Sequence, residues 1–391
     1  MAIENNIRRI YWYRIFSCMI FYLPIFVLFL LDNGLSATQV MILQSYYFIL
    51  IVLLDVPTGV FADRYGRKKA IVISTVIYFI SIFAYGISSS FSQFFIAETL
   101  FAFAGAFWSG TDSAFIYDTL KSLKQEHKFK KVFGTFYSIN FLVWGLAGLL
   151  GGFLAQHSLR LPFYLSLIPV GISLLIAFTL TEPRHSKKIQ LSYFNHMNKA
   201  VTYASKHRYI RFILIYYAVL YGLSEVVWFL YQPFFIRIDL PLQWFGVITF
   251  LIFTVSAIAS KLSHRIDEMF GEKKVMVFMI AVPAISFIMM AVLRNYYALI
   301  FPLFAAFSGG LYFTLLDSYI NKHVSSDNRA TTISLKNLSG NLLFSIIAPF
   351  FGWIVDLWNV ETAFFLSGAV LVVEMIIISS IFSIKSRSKK E

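Results

Sequence analysis

The stretch Asp55-Val56-Pro57-Thr58-Gly59-Val60-Phe61-Ala62-Asp63-Arg64-Tyr65-Gly66-Arg67-Lys68-Lys69 sets two acids, two glycines and a cluster of cations between two strongly apolar runs. It is too short for a domain and long enough to turn a chain around at a membrane surface. Working outward from it, the whole chain is as apolar as its two neighbours. The 391 residues are 58% hydrophobic and only 14% charged, a balance that suits a membrane protein and not a water-soluble core with a polar surface.

A hydrocarbon core about 30 Å thick needs roughly 20 apolar residues per helix, and the sequence holds about twelve such segments. They are expected at 10–31, 38–62, 70–88, 92–120, 132–156 and 161–180, then at 209–235, 243–262, 275–293, 296–322, 330–357 and 362–384. Run length selects helices, because barrel strands are about 10 residues long with alternating polarity. The first run lacks the short core and small-residue cleavage site of a signal peptide and reads as a retained helix. Cys18 is the single cysteine, which rules out a disulfide or cysteine-based metal framework within one chain.

The formal charge of +13 raises nucleic-acid binding, and the distribution of the cations argues against it. Of the 33 Lys and Arg, Arg160, Arg237 and Arg294 fall in loops of one side and Arg14 within a span, and the others fall in the tails, in loops of the opposite side or within two turns of them. That asymmetry marks topology, with both termini cytoplasmic in a multi-pass protein of the cytoplasmic membrane. The polar linker divides the chain into six spans over 1–180, a connection over 181–208, and six spans over 209–391. Within the connection Leu191, Phe194, Met197, Val201 and Ala204 recur at helical spacing. An amphipathic helix lying on the inner surface and a flexible tether are both open readings.

With the spans laid out, Gly59, Asp63, Gly66, Arg67 and Lys68 resemble the loop between helices two and three of the major facilitator superfamily of secondary transporters. The lead-in Asp55-x-Pro57-Thr58-Gly59 is similar to a bacterial, drug-efflux-like branch of it. The resemblance implies an all-α membrane fold of twelve helices in two pseudo-symmetric six-helix bundles, with alternating access to a substrate site between the halves. It also implies a latch in which the loop Asp and Arg meet an acid at the inner end of helix four, matched by Asp118, and the start of helix eleven, matched by 325–331. A weak internal repeat fits duplicated halves: Asp267, Gly271, Lys273 and Lys274 are a diluted copy of the opening loop. Ala147-Gly148-Leu149-Leu150-Gly151-Gly152 departs from the superfamily antiporter motif by lacking its first Gly and its Pro, and Phe101 stands where that motif set has a buried Arg.

Read from the residues alone, the fourth span carries Glu98, Gly105 and Asp112 seven apart, within about 40° on one helical face, with Trp108 and Ser109 flanking. Ionisable side chains at depth cost about 3 kcal/mol or more and face a cavity or a partner. Arg14 lies at a depth similar to that of Asp112, and either pairs with it or snorkels to the inner surface. The seventh span has Tyr221, Glu225, Trp228 and Gln232 at spacings of four, three and four. A carboxyl in apolar surroundings can exchange protons near neutral pH, which makes Glu98 and Glu225 the candidate proton carriers. Asp55 beside the loop and Glu374 in the last span are further acids, with structural roles open to both.

No Walker phosphate loop, His-Glu-x-x-His or Gly-x-Ser-x-Gly occurs. The expectation is a monomeric transporter that is not an enzyme and needs no cofactor or metal, with a small amphipathic molecule and protons as its partners in the bilayer. Proton-coupled efflux comes first. Uptake or export of a metabolite or siderophore is the alternative, and a membrane-embedded enzyme or receptor is a further one.

Overall fold

The computed structural model describes residues 3–183, 202 and 207–387, and the periodic segment 191–204 of the connection lies almost wholly outside them. The described residues are helical with no strand. They hold twelve helical segments long and apolar enough to cross a membrane, and a helix satisfies most of its backbone N–H and C=O groups within its own segment, as a bilayer requires.

Two of these segments are not continuous helices. The first span comprises α1 (Asn6–Cys18), a single turn at Leu23–Ile25 and α2 (Phe26–Asp32). The fourth comprises α5 (Phe91–Trp108) and α6 (Thr111–Ser122), separated at Gly110, whose φ of +69° belongs to the left-handed region that glycine tolerates. The rest are α3 (Ala37–Tyr65), α4 (Arg67–Ile87), α7 (Phe129–Leu154), α8 (Leu161–Thr179), α9 (Arg208–Arg237), α10 (Leu242–Phe270), α11 (Glu272–Val292), α12 (Ile300–His323), α13 (Ser326–Leu357) and α14 (Val360–Arg387).

The helices form two compact units. One comprises Met1–Leu35, Tyr46–Tyr193 and Pro241–Phe250; the other comprises Ser36–Ser45, Phe194–Leu240 and Leu251–Glu391. Compared with a division at the connection, each unit takes in the first turns of one helix from the opposite half of the sequence: α10 in unit 1 and α3 in unit 2. In unit 1, α4 packs on α5 and α8, and α1 packs on α7 and α8. In unit 2, α11 packs on α12 and α14, and α9 packs on α13 and α14. Span for span this is the same arrangement. The core of unit 1 gathers Ile10, Tyr13, Ile71, Phe115, Phe136 and Ala177, all buried.

The repeat extends to single residues. Gly66 and Gly271 both turn the chain with positive φ, +112° and +77°, immediately before a helix. Gly152 on α7 lies where a Cβ would strike Gly246 N and the carbonyls of Gln243 and Leu242 at the start of α10. Gly352 on α13 lies where one would strike Ala37 O and Thr38 Cα at the start of α3. One turn further along, Gln156 donates to Gln243, and Asp356 accepts from Ala37 N and Thr38 N, each at 2.8 Å. Glycine followed four residues later by a polar side chain thus binds a helix start in each unit.

The three arginines that break the charge asymmetry all have structural work. Arg160 donates to Gly86 O and Asn33 Oδ1, at 2.5 and 2.8 Å. Arg237 and Arg294 both pair with the buried Glu361, at 3.2 and 3.4 Å.

Candidate functional site

The opening loop folds into a charged cluster at the basic end of unit 1. Asp63 and Arg67 lie one helical turn apart across Gly66 and pair at 2.5 Å, and Arg67 Nε is 3.7 Å from Asp118 Oδ2. The loop Asp, the loop Arg and the acid of α6 therefore come together. The segment 325–331 that the resemblance associates with them belongs to unit 2.

Glu182 joins this cluster, although the sequence reading passed over it. Its carboxylate accepts from Arg67 N at 2.7 Å and from Lys68 N at 2.9 Å, capping the start of α4. A carboxylate at a helix N-terminus meets unsatisfied N–H groups and the positive end of the dipole. Gly66 is small because a Cβ there would lie 2.6 Å from Glu182 Oε2. Nothing lies within 4 Å of a Cβ at Gly59, so close packing does not account for that glycine. Asp55 is half-buried on α3, below the loop.

The fourth span departs from its expected form. The heptad phase from Glu98 through Gly105 to Asp112 assumes one helix, but the helix stops at Trp108, and Ser109 and Gly110 are exposed at the break. Stopping there strips Ala106 O of its usual partner four residues on, and the Thr58 hydroxyl lies 2.9 Å from it. Ser74 Oγ grips Ala104 O at 2.7 Å from the other side. Asp112 sits in the first turn of α6, 5% exposed, with Oδ1 accepting from Ser113 N at 2.6 Å. Glu98 is buried in α5, 2% exposed, and its Oε2 has no hydrogen-bond partner.

The first span breaks at the same kind of place. Phe21 N, unsatisfied past the end of α1, donates to Ser166 Oγ at 2.9 Å, and Phe21 O lies against Gly151, where a Cβ would collide with it. Just before this break, Arg14 Nε donates to Asn140 Oδ1. The guanidinium carbon lies 5.2 Å from the Trp108 ring centroid and 5.1 Å from that of Phe136. Among the described residues no ion pair within 4 Å joins Arg14 to Asp112, and Asn140 occupies the place in which the sequence reading put the acid. Asn140 was visible as a lone amide in the apolar fifth span.

In unit 2, Tyr221 stacks on Tyr217 with centroids 5.1 Å apart, and the half-buried Glu225 lies one turn along the same helix. Trp228 packs against Tyr231 and Phe253, with centroids 6.1 and 5.7 Å away. The other face of Tyr217 carries Lys336 Nζ, 4.5 Å from the ring centroid. Lys336 is 2% exposed and pairs with Asp317 at 2.5 Å. The sequence reading grouped it with the inner loops because it lies near the start of its span. Glu374 on α14 has both carboxyl oxygens shielded and without a hydrogen-bond partner. Among the described residues no group of three or more His, Cys, Asp or Glu could hold a metal ion.

The family profile described as Major Facilitator Superfamily matches residues 11–268 and 241–391. Multidrug resistance protein 2 of Bacillus subtilis (strain 168) is 24% identical over 328 residues, 81% of this chain and 79% of that protein. The class H tetracycline resistance protein of Pasteurella multocida is 21% identical over 377 residues, 93% of this chain and 90% of that protein. The crystal structure of the nucleoside transporter NupG has the same fold, with a TM-score of 0.81 at 14% identity over 98% of this chain and 99% of that one. With two broken spans, duplicated packing in each unit and a profile match along nearly its whole length, the chain belongs to the major facilitator superfamily of membrane transporters.

Proposed function

We propose that the chain is a secondary active transporter of the cytoplasmic membrane that moves a small amphipathic molecule outward in exchange for protons, by alternating access, as a monomer with both ends cytosolic. Glu98 carries this reading. It is a carboxyl in the apolar interior of a membrane-spanning segment, with one oxygen unpartnered. An unpaired charge at such depth costs several kcal/mol, which ties the proton on the group to whether water reaches it, and so to conformation. Glu225 beside Tyr221 is the corresponding carrier in unit 2. The cluster of Asp63, Arg67, Asp118 and Glu182 is the cytosolic clasp. Outward movement is favoured by the resistance proteins among the relatives, and the cytosolic assignment of the basic ends follows the distribution of Lys and Arg.

Everted membrane vesicles containing the chain, energised to acidify their lumen, test the reading with a panel of neutral, cationic and anionic amphipathic dyes. At least one dye accumulates in the lumen, and collapsing the pH gradient with nigericin releases it. Accumulation that survives nigericin, or that requires ATP hydrolysis directly, contradicts proton exchange.

A further inference from the structure

We infer that Arg14 recognises the oxyanion of an amphipathic cargo, a carboxylate or an equivalent singly charged group. This rests on the transport reading above and narrows its cargo class. The basis is what the guanidinium touches and what it leaves untouched. Its position is held by the bond from Nε to Asn140 and by two neighbouring rings, Trp108 and Phe136. Of the five N–H donors of an arginine, only the one on Nε is used. Among the described residues neither Nη makes a hydrogen bond or an ion pair, and neither is shielded from solvent with its donors unmet.

The internal acid that the sequence places at a similar depth, Asp112, makes no direct bond to this cation. No ion pair joins the two within 4 Å, and Asp112 Oδ1 is occupied by Ser113 N at 2.6 Å. An intramembrane arginine with free donors costs about 3 kcal/mol or more, and a bound anion offsets that cost. With aromatic rings against the guanidinium, its Nη edge remains on offer, and paired N–H groups match the two oxygens of a carboxylate. The same rings supply the apolar half of the site. Trp108 is the partly exposed ring of the three and is the one open to the hydrophobic body of the molecule; Tyr13 and Phe136, both buried, back it from the core at 5.2 and 6.2 Å.

A phospholipid headgroup offers the same oxyanion, and the experiment separates the two sources. Purified chain in phosphatidylcholine nanodiscs is titrated calorimetrically with 2-naphthoate, with neutral 2-naphthamide and with a 2-naphthylmethyl trimethylammonium salt. The carboxylate binds about 10- to 100-fold more tightly than the amide. Arg14→Gln brings the carboxylate-to-amide ratio close to one and no longer disfavours the cation, while Arg14→Lys keeps part of the preference as a point charge without the paired geometry. Should Arg14→Gln not fold, Asn140→Ala, which releases Nε, narrows the carboxylate-to-amide ratio instead. Equal binding of carboxylate and amide by the wild type overturns the inference. So does a preference that survives substitution of Arg14 or Asn140, or displacement of 2-naphthoate when phosphatidylglycerol is added, since the headgroup is then the occupant. If 2-naphthoate does not bind but nigericin-sensitive dye accumulation stands, the oxyanion site falls and the transport reading survives.

Discussion

Glu98→Gln keeps the shape of the side chain and removes the ionisable proton, so dye transport by this variant loses its dependence on lumenal pH while the protein remains folded. Transport by Glu98→Gln that follows pH as the wild type does would exclude Glu98 as a carrier. Thr58 offers a different test, because its hydroxyl answers a carbonyl that the break in the fourth span leaves without a helical partner. Thr58→Val costs about 1 kcal/mol of stability and Thr58→Ser restores it, measured as thermal unfolding in detergent; a Val variant as stable as wild type would show that Ala106 O has no need of Thr58. At this scale the sequence was legible where a charge stood alone in an apolar run, as Glu98, Arg14 and Glu225 do. It was misleading where a partner had to be chosen. Depth along ideal helices left Arg14 either pairing with Asp112 or snorkelling; the turn at Gly110 puts Asp112 on a separate helix, and Arg14 bonds Asn140. Lys336 was overlooked because nearness to a span end looks like exposure in one dimension, whereas in the fold it is covered by Tyr217 and Asp317.

Helix starts are held by carboxylates from distant parts of the chain. Glu182 accepts from two backbone N–H groups at the start of α4, and Asp356 does the same for α3. Replacing either with Ala exposes those donors and the helix dipole, at a cost of about 1–2 kcal/mol. Unfolding temperatures of Glu182→Ala and Asp356→Ala report it, and an unchanged temperature for both would show that the caps are incidental. Gly352→Val is expected to be worse than either, because a Cβ there would lie 2.7 Å from Ala37 O and 2.8 Å from Thr38 Cα, backbone atoms that cannot rotate away. Run length and hydropathy made all twelve segments legible, since a bilayer demands long apolar helices and little else looks like them. The breaks were not legible, because mean hydropathy does not register backbone conformation. Pro24 and the pair Ser109-Gly110 were the available signals, and only the positive φ at Gly110 shows their effect. The Gly-x-x-x-polar repeat on α7 and α13 was equally hidden, since Gln156 and Asp356 share a position and not a residue type.

For the whole molecule, the net charge of +13 matters through its placement, on which the proposed orientation rests. The few cations that break the pattern do so for local reasons: Arg160, Arg237 and Arg294 are tied to Gly86 O, Asn33 and Glu361, and Arg14 stands at a broken helix beside two aromatic rings. Membership of a transporter superfamily, two similarly packed units and buried acids in both together make proton-driven movement of cargo the central claim. The most direct test places the purified chain in sealed proteoliposomes with no nucleotide present, imposes a pH gradient and follows both an amphipathic dye and lumenal pH. The account predicts that dye accumulates above its external concentration as protons leave the lumen and that Glu98→Gln abolishes this uphill movement. Dye that only equilibrates across the membrane, or that accumulates to the same level without a gradient, would contradict it.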